Sequence, residues 1–278
     1  MTAVVDLAGE WAAPPGILAA AAIVAALYMQ AFIRLRRRGR PDLASWSRAA
    51  LFVAGLALAV LPLLSPLDAA GEDYLLSAHM LQHVLIGDAA AALLVLSVRG
   101  PMLFFLVPAP LLRRIARIAP LRAFLRLLSR PTAAFLLWAA AMLGWHVPAA
   151  YDAALAHPTV HVLEHVSFVV AGALVWTQLV DPAREGRLTR GERIAYAFGL
   201  LVAGQPVMDA LLFSDHPLYR AYAHQPQRLW GLSALTDQRL AGAVMLVEQL
   251  LTLGACIAIL LVPILRERRA RLGAREPA

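Results

Sequence analysis

Apolar side chains occupy this chain in long blocks separated by short charged connections. Crossing a hydrocarbon core of ~30 Å in helical form takes about 20 mainly apolar residues. Seven blocks fit that requirement: residues 16–33, 49–66, 75–97, 131–149, 158–180, 194–213 and 239–265. The pattern predicts an all-α membrane protein, a seven-transmembrane helix bundle forming a single integral membrane domain over 1–278. Punctuation agrees with it. Ser129-Arg130-Pro131 suits the opening of the fourth helix, and Asp181-Pro182 closes the fifth. Gly204 and Pro206 predict a bend inside the sixth, its freed backbone groups met by neighbouring helices.

Composition supports the same class. The chain is 60% hydrophobic and 15% charged, against ~25% charged in an ordinary soluble domain. No polar stretch is long enough for a separate soluble core. The net charge of +7 would fit nucleic acid, but its placement points to a membrane instead. All 25 basic residues are arginines, and 22 of them fall in four stretches, 34–48, 99–130, 184–193 and 266–275. Under the positive-inside rule these stretches face the cytoplasm, which predicts an outside N-terminus and a cytoplasmic C-terminus. Met1 to Gly16 carries Asp6 and Glu10 but no basic residue, so the first apolar block reads as a retained helix rather than a signal peptide. Nucleic acid is not expected as a partner; the lipid membrane is.

Within 99–130, a cytoplasmic basic amphipathic connection, Leu111, Leu112, Ile115, Ile118, Leu121, Phe124, Leu125 and Leu128 recur at helical spacing. Arg113, Arg117, Arg122 and Arg126 stand beside them. Such a segment lies in the headgroup layer and favours anionic lipid. Cys256 is the only cysteine, which excludes an internal disulfide and every multi-cysteine metal motif.

All eight histidines fall on the outer side of this topology. His79 and His83 are four apart near the outer start of the third helix, and His161 and His165 are four apart near the outer start of the fifth. Residues four apart share a helix face. At a rise of ~1.5 Å per residue, both pairs sit about 6 and 12 Å deep. His146 enters at a similar level from the fourth helix. If these helices are neighbours, five imidazoles converge in one layer, suited to copper, zinc, iron or nickel. Glu164, beside His165, adds an acid as ligand or as an orienting partner. Met245 lies at comparable depth in the seventh helix, and a thioether there would favour Cu(I). His157, His216 and His224 read as interfacial or loop residues. Asp88, on α-helical geometry, points about 140° away from His83.

In order along the chain, His79-Met80-Leu81-Gln82-His83, Trp145-His146-Val147-Pro148, His161-Val162-Leu163-Glu164-His165 and Asp237-Gln238 to Met245 resemble motifs of the CtaG-type, multi-spanning cytochrome c oxidase assembly factor family. Tyr151-Asp152 and the stretch Phe168 to Trp176 are similar too, so the resemblance covers roughly residues 70–265. It implies a multi-pass protein of the bacterial plasma membrane that matures a haem-copper oxidase subunit, with copper handled at the outer face.

Three other readings compete. His161-Val162-Leu163-Glu164-His165 fits H-x-x-E-H, in which glutamate is the general base of a zinc metallohydrolase. Histidine pairs on facing helices can also ligate haem, as in a haem- or quinone-binding membrane protein. Asp88, Gly204, Pro206 and Asp209 would suit the broken-helix path of a transporter.

Overall fold

The computed structural model describes residues 7–273, so Asp6 and Arg275 of the charge argument lie outside it. Among the described residues every regular element is a helix. The first long helix, α1 (Pro15–Arg37), opens on a proline, whose missing N–H costs nothing at the first helical position. A second, α2 (Trp46–Leu64), is capped by the Ser45 hydroxyl. The short α3 (Pro66–Asp73) then leads into α4 (Leu76–Val84), a π turn (Leu85–Ala89) and α5 (Ala90–Ser97). These last three form one continuous 22-residue span.

The arginine-rich connection folds as α6 (Met102–Leu106), α7 (Ala109–Arg117) and α8 (Ala119–Leu128). Neither α7 nor α8 buries a single residue; Leu111, Ile118, Phe124 and Leu125 are exposed. Next come α9 (Pro131–Trp145), α10 (Pro148–Ala156) and α11 (Pro158–Val180). The chain ends with α12 (Arg190–Phe213), the single turn α13 (Arg220–Ala223) and the 40-residue α14 (Ala234–Gly273). A Thr189–Glu192 capping box starts α12.

Among the described residues six helices are long and apolar enough to cross a membrane, and a seventh counts only if α8 and α9 are one span bent by 73°. The break is local chemistry. Arg130 is extended because a proline follows it, and Pro131 cannot donate into the preceding turn. The apolar block 131–149 is likewise cut at Trp145, because Pro148 opens α10 in a new direction.

Packing places α4 and α5 at the centre. They lie between α2, α11 and α14, while α12 runs along α14 and α9 against α11. Arginine-rich connections gather at one end of the bundle, where Arg48 Nη1 donates to the Leu96 carbonyl (2.7 Å) and Arg193 pairs with Asp181 (2.8 Å). The starts of α4 and α11, with their histidines, lie at the other end.

Two contacts fix the register of the central helices. The first is at Asp237 of α14, whose carboxylate accepts from Leu76 N (2.7 Å), Ser77 N (3.1 Å) and Ser77 Oγ (2.5 Å). It caps α4 from another helix, since Leu75 at the cap position has no side chain able to do so. Asp237→Ala is expected to destabilise the protein by about 1.5–3 kcal/mol, the range for a charged hydrogen-bonding group. Thermal unfolding in detergent measures this, and Asp237→Asn should recover part of the loss. The second contact is glycine on glycine. Gly172 of α11 lies so close to the Gly87 carbonyl that an added Cβ would overlap the oxygen, and a Cβ on Gly87 would sit 3.0 Å from Phe168 Cβ. Membrane helices approach this closely only where side chains are absent.

Candidate metal centre

The i, i+4 spacing puts His79 and His83 on one face of α4, and His161 and His165 on one face of α11. The close approach of those helices brings the faces together. One ring nitrogen from each of the four residues lies within 4.8 Å of the others. His79 Nε2 is 3.3 Å from His161 Nε2, and His83 Nε2 is 3.1 Å from His165 Nε2. A metal–nitrogen bond of about 2.0 Å places tetrahedral ligands ~3.3 Å apart, so each of these two cross-helix spacings matches a pair of ligands on one ion.

The surroundings fix which nitrogen of the upper pair carries the proton. Tyr222 Oη donates to the Gly71 carbonyl at 2.5 Å. Its one hydrogen is thereby used, so it can only accept from His79 Nδ1, 2.9 Å away. Burial pushes the Tyr222 phenol well above its usual pKa, which keeps it a neutral hydroxyl. His161 Nδ1 lies 2.9 Å from Glu72 Oε1, a carboxylate oxygen that accepts its proton. Both Nδ1 atoms are therefore protonated, and in the neutral rings both Nε2 atoms are free to ligate an ion.

The lower pair is held differently. His83 Nδ1 is buried without a partner, and the Glu164 carboxylate beside it is buried with both oxygens unpartnered, 3.9 Å from that nitrogen. A small rotation would make Glu164 the orienting partner of His83, as Glu72 is of His161. Around the cluster, α3, α10 and α13 form a cover. Gln82 donates to the Pro62 carbonyl (3.1 Å) and to Asp68 of α3 (2.6 Å), and Tyr151 of α10 stacks on Tyr219 at 4.1 Å. Burial raises the Asp68 carboxyl above its usual range, while the Gln82 hydrogen bond opposes this. His79 is fully buried, but Glu72 remains 42% exposed and marks the open edge.

Not every sequence candidate joins the four. His146 ends α9, donates from Nδ1 to the Met142 carbonyl (2.6 Å), and turns Nε2 toward Met80 Sδ at 3.4 Å. Met245 is buried in the apolar cluster that also holds Met80 and Met142. His157, His216 and His224 are exposed. Asp88 accepts from Trp176 Nε1 and from Thr252 Oγ1 (2.8 Å), and it lines the same internal cavity as His83. The π turn between them explains this. Its wider turn winds less per residue than an α-helix, so Asp88 faces closer to His83 than α-helical counting implies. Asp209 is exposed on α12 and touches none of these groups.

Sequence reasoning missed Glu72, Tyr222 and Met80. Met80 lies inside the His79–His83 motif and could have been weighed there. Glu72 and Tyr222 come from short covering elements with no periodic signal.

Comparison with known proteins returned one family. The family model for the cytochrome c oxidase caa3 assembly factor (Caa3_CtaG) matches residues 26–267. No curated protein and no solved structure matches the chain.

Proposed function

Because this chain belongs to the cytochrome c oxidase caa3 assembly factor family, we propose that it is a multi-pass protein of the bacterial plasma membrane that holds copper through His79, His83, His161 and His165 and passes it to a haem-copper oxidase subunit. The observation that carries this reading is the convergence of four imidazoles from two helices, with His79 Nε2 and His161 Nε2 3.3 Å apart and their opposite nitrogens engaged by Tyr222 and Glu72. Imidazole nitrogen suits copper and zinc alike. The oxidase context of the family favours copper, here as cargo rather than as a resident catalytic ion.

Arginine placement supports an orientation in which the histidine end faces outward, so that Glu72 and His161 form the edge through which copper is taken up and given away. Direct ring contacts, 5.1 Å between the centroids of His79 and His161 and 4.9 Å between those of His83 and His165, favour a bare ion over a haem. A catalytic zinc keeps one coordination position open, and four converging imidazoles favour a holding site over a hydrolytic one.

Metal content and the absorption spectrum of protein purified in mild detergent test the proposal together. Roughly one copper per chain bound by nitrogen ligands alone is expected, and copper content should fall by that amount in both His83→Ala and His165→Ala. Unchanged occupancy in both variants would refute the four-histidine site. Zinc with peptide-cleaving activity abolished by Glu164→Gln would favour the H-x-x-E-H reading, and a Soret band would favour haem.

A further inference from the structure

Beside the four histidines lies a second constellation of different chemistry. A cavity of about 50 Å³ is lined by Met80, Met142, His146, Met245, Glu248 and Gln249 together with His83 and Asp88. That volume has room for a single ion or a few waters, since one water needs only ~10–15 Å³ on this measure. Three thioethers share this lining with the imidazoles of His83 and His146.

The protons can be placed here as well. His146 Nδ1 donates to the Met142 carbonyl at 2.6 Å, so Nε2 carries the lone pair. Nε2 is 3.4 Å from Met80 Sδ, and a thioether has no hydrogen to give. Two donor atoms thus face one another with nothing between them. With bonds of about 2.0 Å to nitrogen and 2.3 Å to sulfur, that separation corresponds to an angle of about 105° at a shared ion. Independent of this pair, Glu248 Oε1 and Gln249 Oε1 line the same cavity, buried and without hydrogen-bond partners.

We propose that Met80 and His146 form a second metal site, specific for a soft monovalent ion, Cu(I), with Met142 or Met245 as a further thioether ligand. Thioether sulfur selects Cu(I) over zinc and other harder ions, whereas the all-imidazole cluster makes no such distinction. The two sites share no ligand. This one stands on its own residues and does not depend on copper being held by the four histidines.

The test uses the full-length chain in detergent, loaded anaerobically with Cu(I), or with Ag(I) as its redox-inert stand-in. X-ray absorption should show a sulfur neighbour around copper in the wild type and in His83→Ala/His165→Ala, which disables only the imidazole cluster. Met80→Leu conserves volume. It should remove the sulfur signal and weaken Ag(I) binding by about tenfold or more, as loss of a soft ligand does. His146→Gln, able to keep the hydrogen bond to Met142, should weaken it similarly. Zn(II) binding by the four histidines should be unchanged in Met80→Leu, and a matching size-exclusion profile shows that the variant is folded. Copper with only nitrogen neighbours in the wild type, or Ag(I) affinity unchanged in folded Met80→Leu, would overturn the second site. Loss of Zn(II) binding from the wild type with the sulfur signal intact would instead refute the four-histidine reading alone.

Discussion

Gly172→Ala is expected to abolish metal retention by the four histidines without touching a ligand, and to cost about 4–5 kcal/mol, the exceptional end of single substitutions. The added methyl would overlap the Gly87 carbonyl oxygen, which is backbone and cannot rotate aside. To make room, α11 and the α4–α5 rod must separate by about 1 Å, twice the ~0.5 Å within which a built constellation stays productive. Gly87 is one turn beyond His83, and Gly172 two turns beyond His165, so the separation starts next to the imidazole pairs on the same two helices. Gly254→Ala supplies the control. A Cβ there meets nothing within 4 Å, and alanine in mid-helix stabilises by about 0.5–1 kcal/mol over glycine. Thermal unfolding and metal content of the two variants decide the matter. If Gly172→Ala retains wild-type metal, the helix contact does not set the site.

The contrast shows what the sequence made legible. Long apolar blocks announced the spanning helices because hydrocarbon thickness fixes their length, and i, i+4 spacing announced two histidine faces because the α-helical period is rigid. Depth followed from rise per residue, which is why the upper and lower histidine pairs match across α4 and α11. Lateral position does not follow from either rule. His146 shares the depth of the four histidines, yet α9 delivers it beside Met80 rather than among them. Asp88 escaped for another reason, since counting at 100° per residue assumes an α-helix and the chain inserts a π turn. The covering elements carry no period at all. Glu72 and Tyr222 reach the site from α3 and α13, eight and four residues long, whose placement is set by tertiary contacts alone. The fourth span shows the same limit, because hydropathy ran through residues 131–149 while Pro131 and Pro148 turned the chain at both ends.

Those covering residues carry the last prediction. Tyr222→Phe together with Glu72→Gln is expected to lower metal affinity by about 10²–10⁴, since each orienting partner of a metal-bound histidine contributes roughly 10–100-fold. The two contributions are not equal. Tyr222 is buried, so its hydroxyl acts in a low-dielectric setting, and its loss leaves His79 Nδ1–H without an acceptor. The imidazole proton is then free to move to Nε2, which blocks the lone pair the ion requires. Glu72 is 42% exposed, and water can replace part of what its carboxylate does for His161. Tyr222→Phe therefore belongs near the upper end of the range and Glu72→Gln near the lower. Metal titrations of the wild type, both single variants and the double variant would form a thermodynamic cycle, with unfolding measured in parallel. A purely structural role for Tyr222 would cost only about 0.5–1.5 kcal/mol, from its hydrogen bond to Gly71, and would leave affinity untouched. Affinity that falls while stoichiometry and folding hold assigns Tyr222 to orienting the imidazole. Affinity unchanged in folded Tyr222→Phe would mean that the His79 tautomer is set by something other than this hydroxyl.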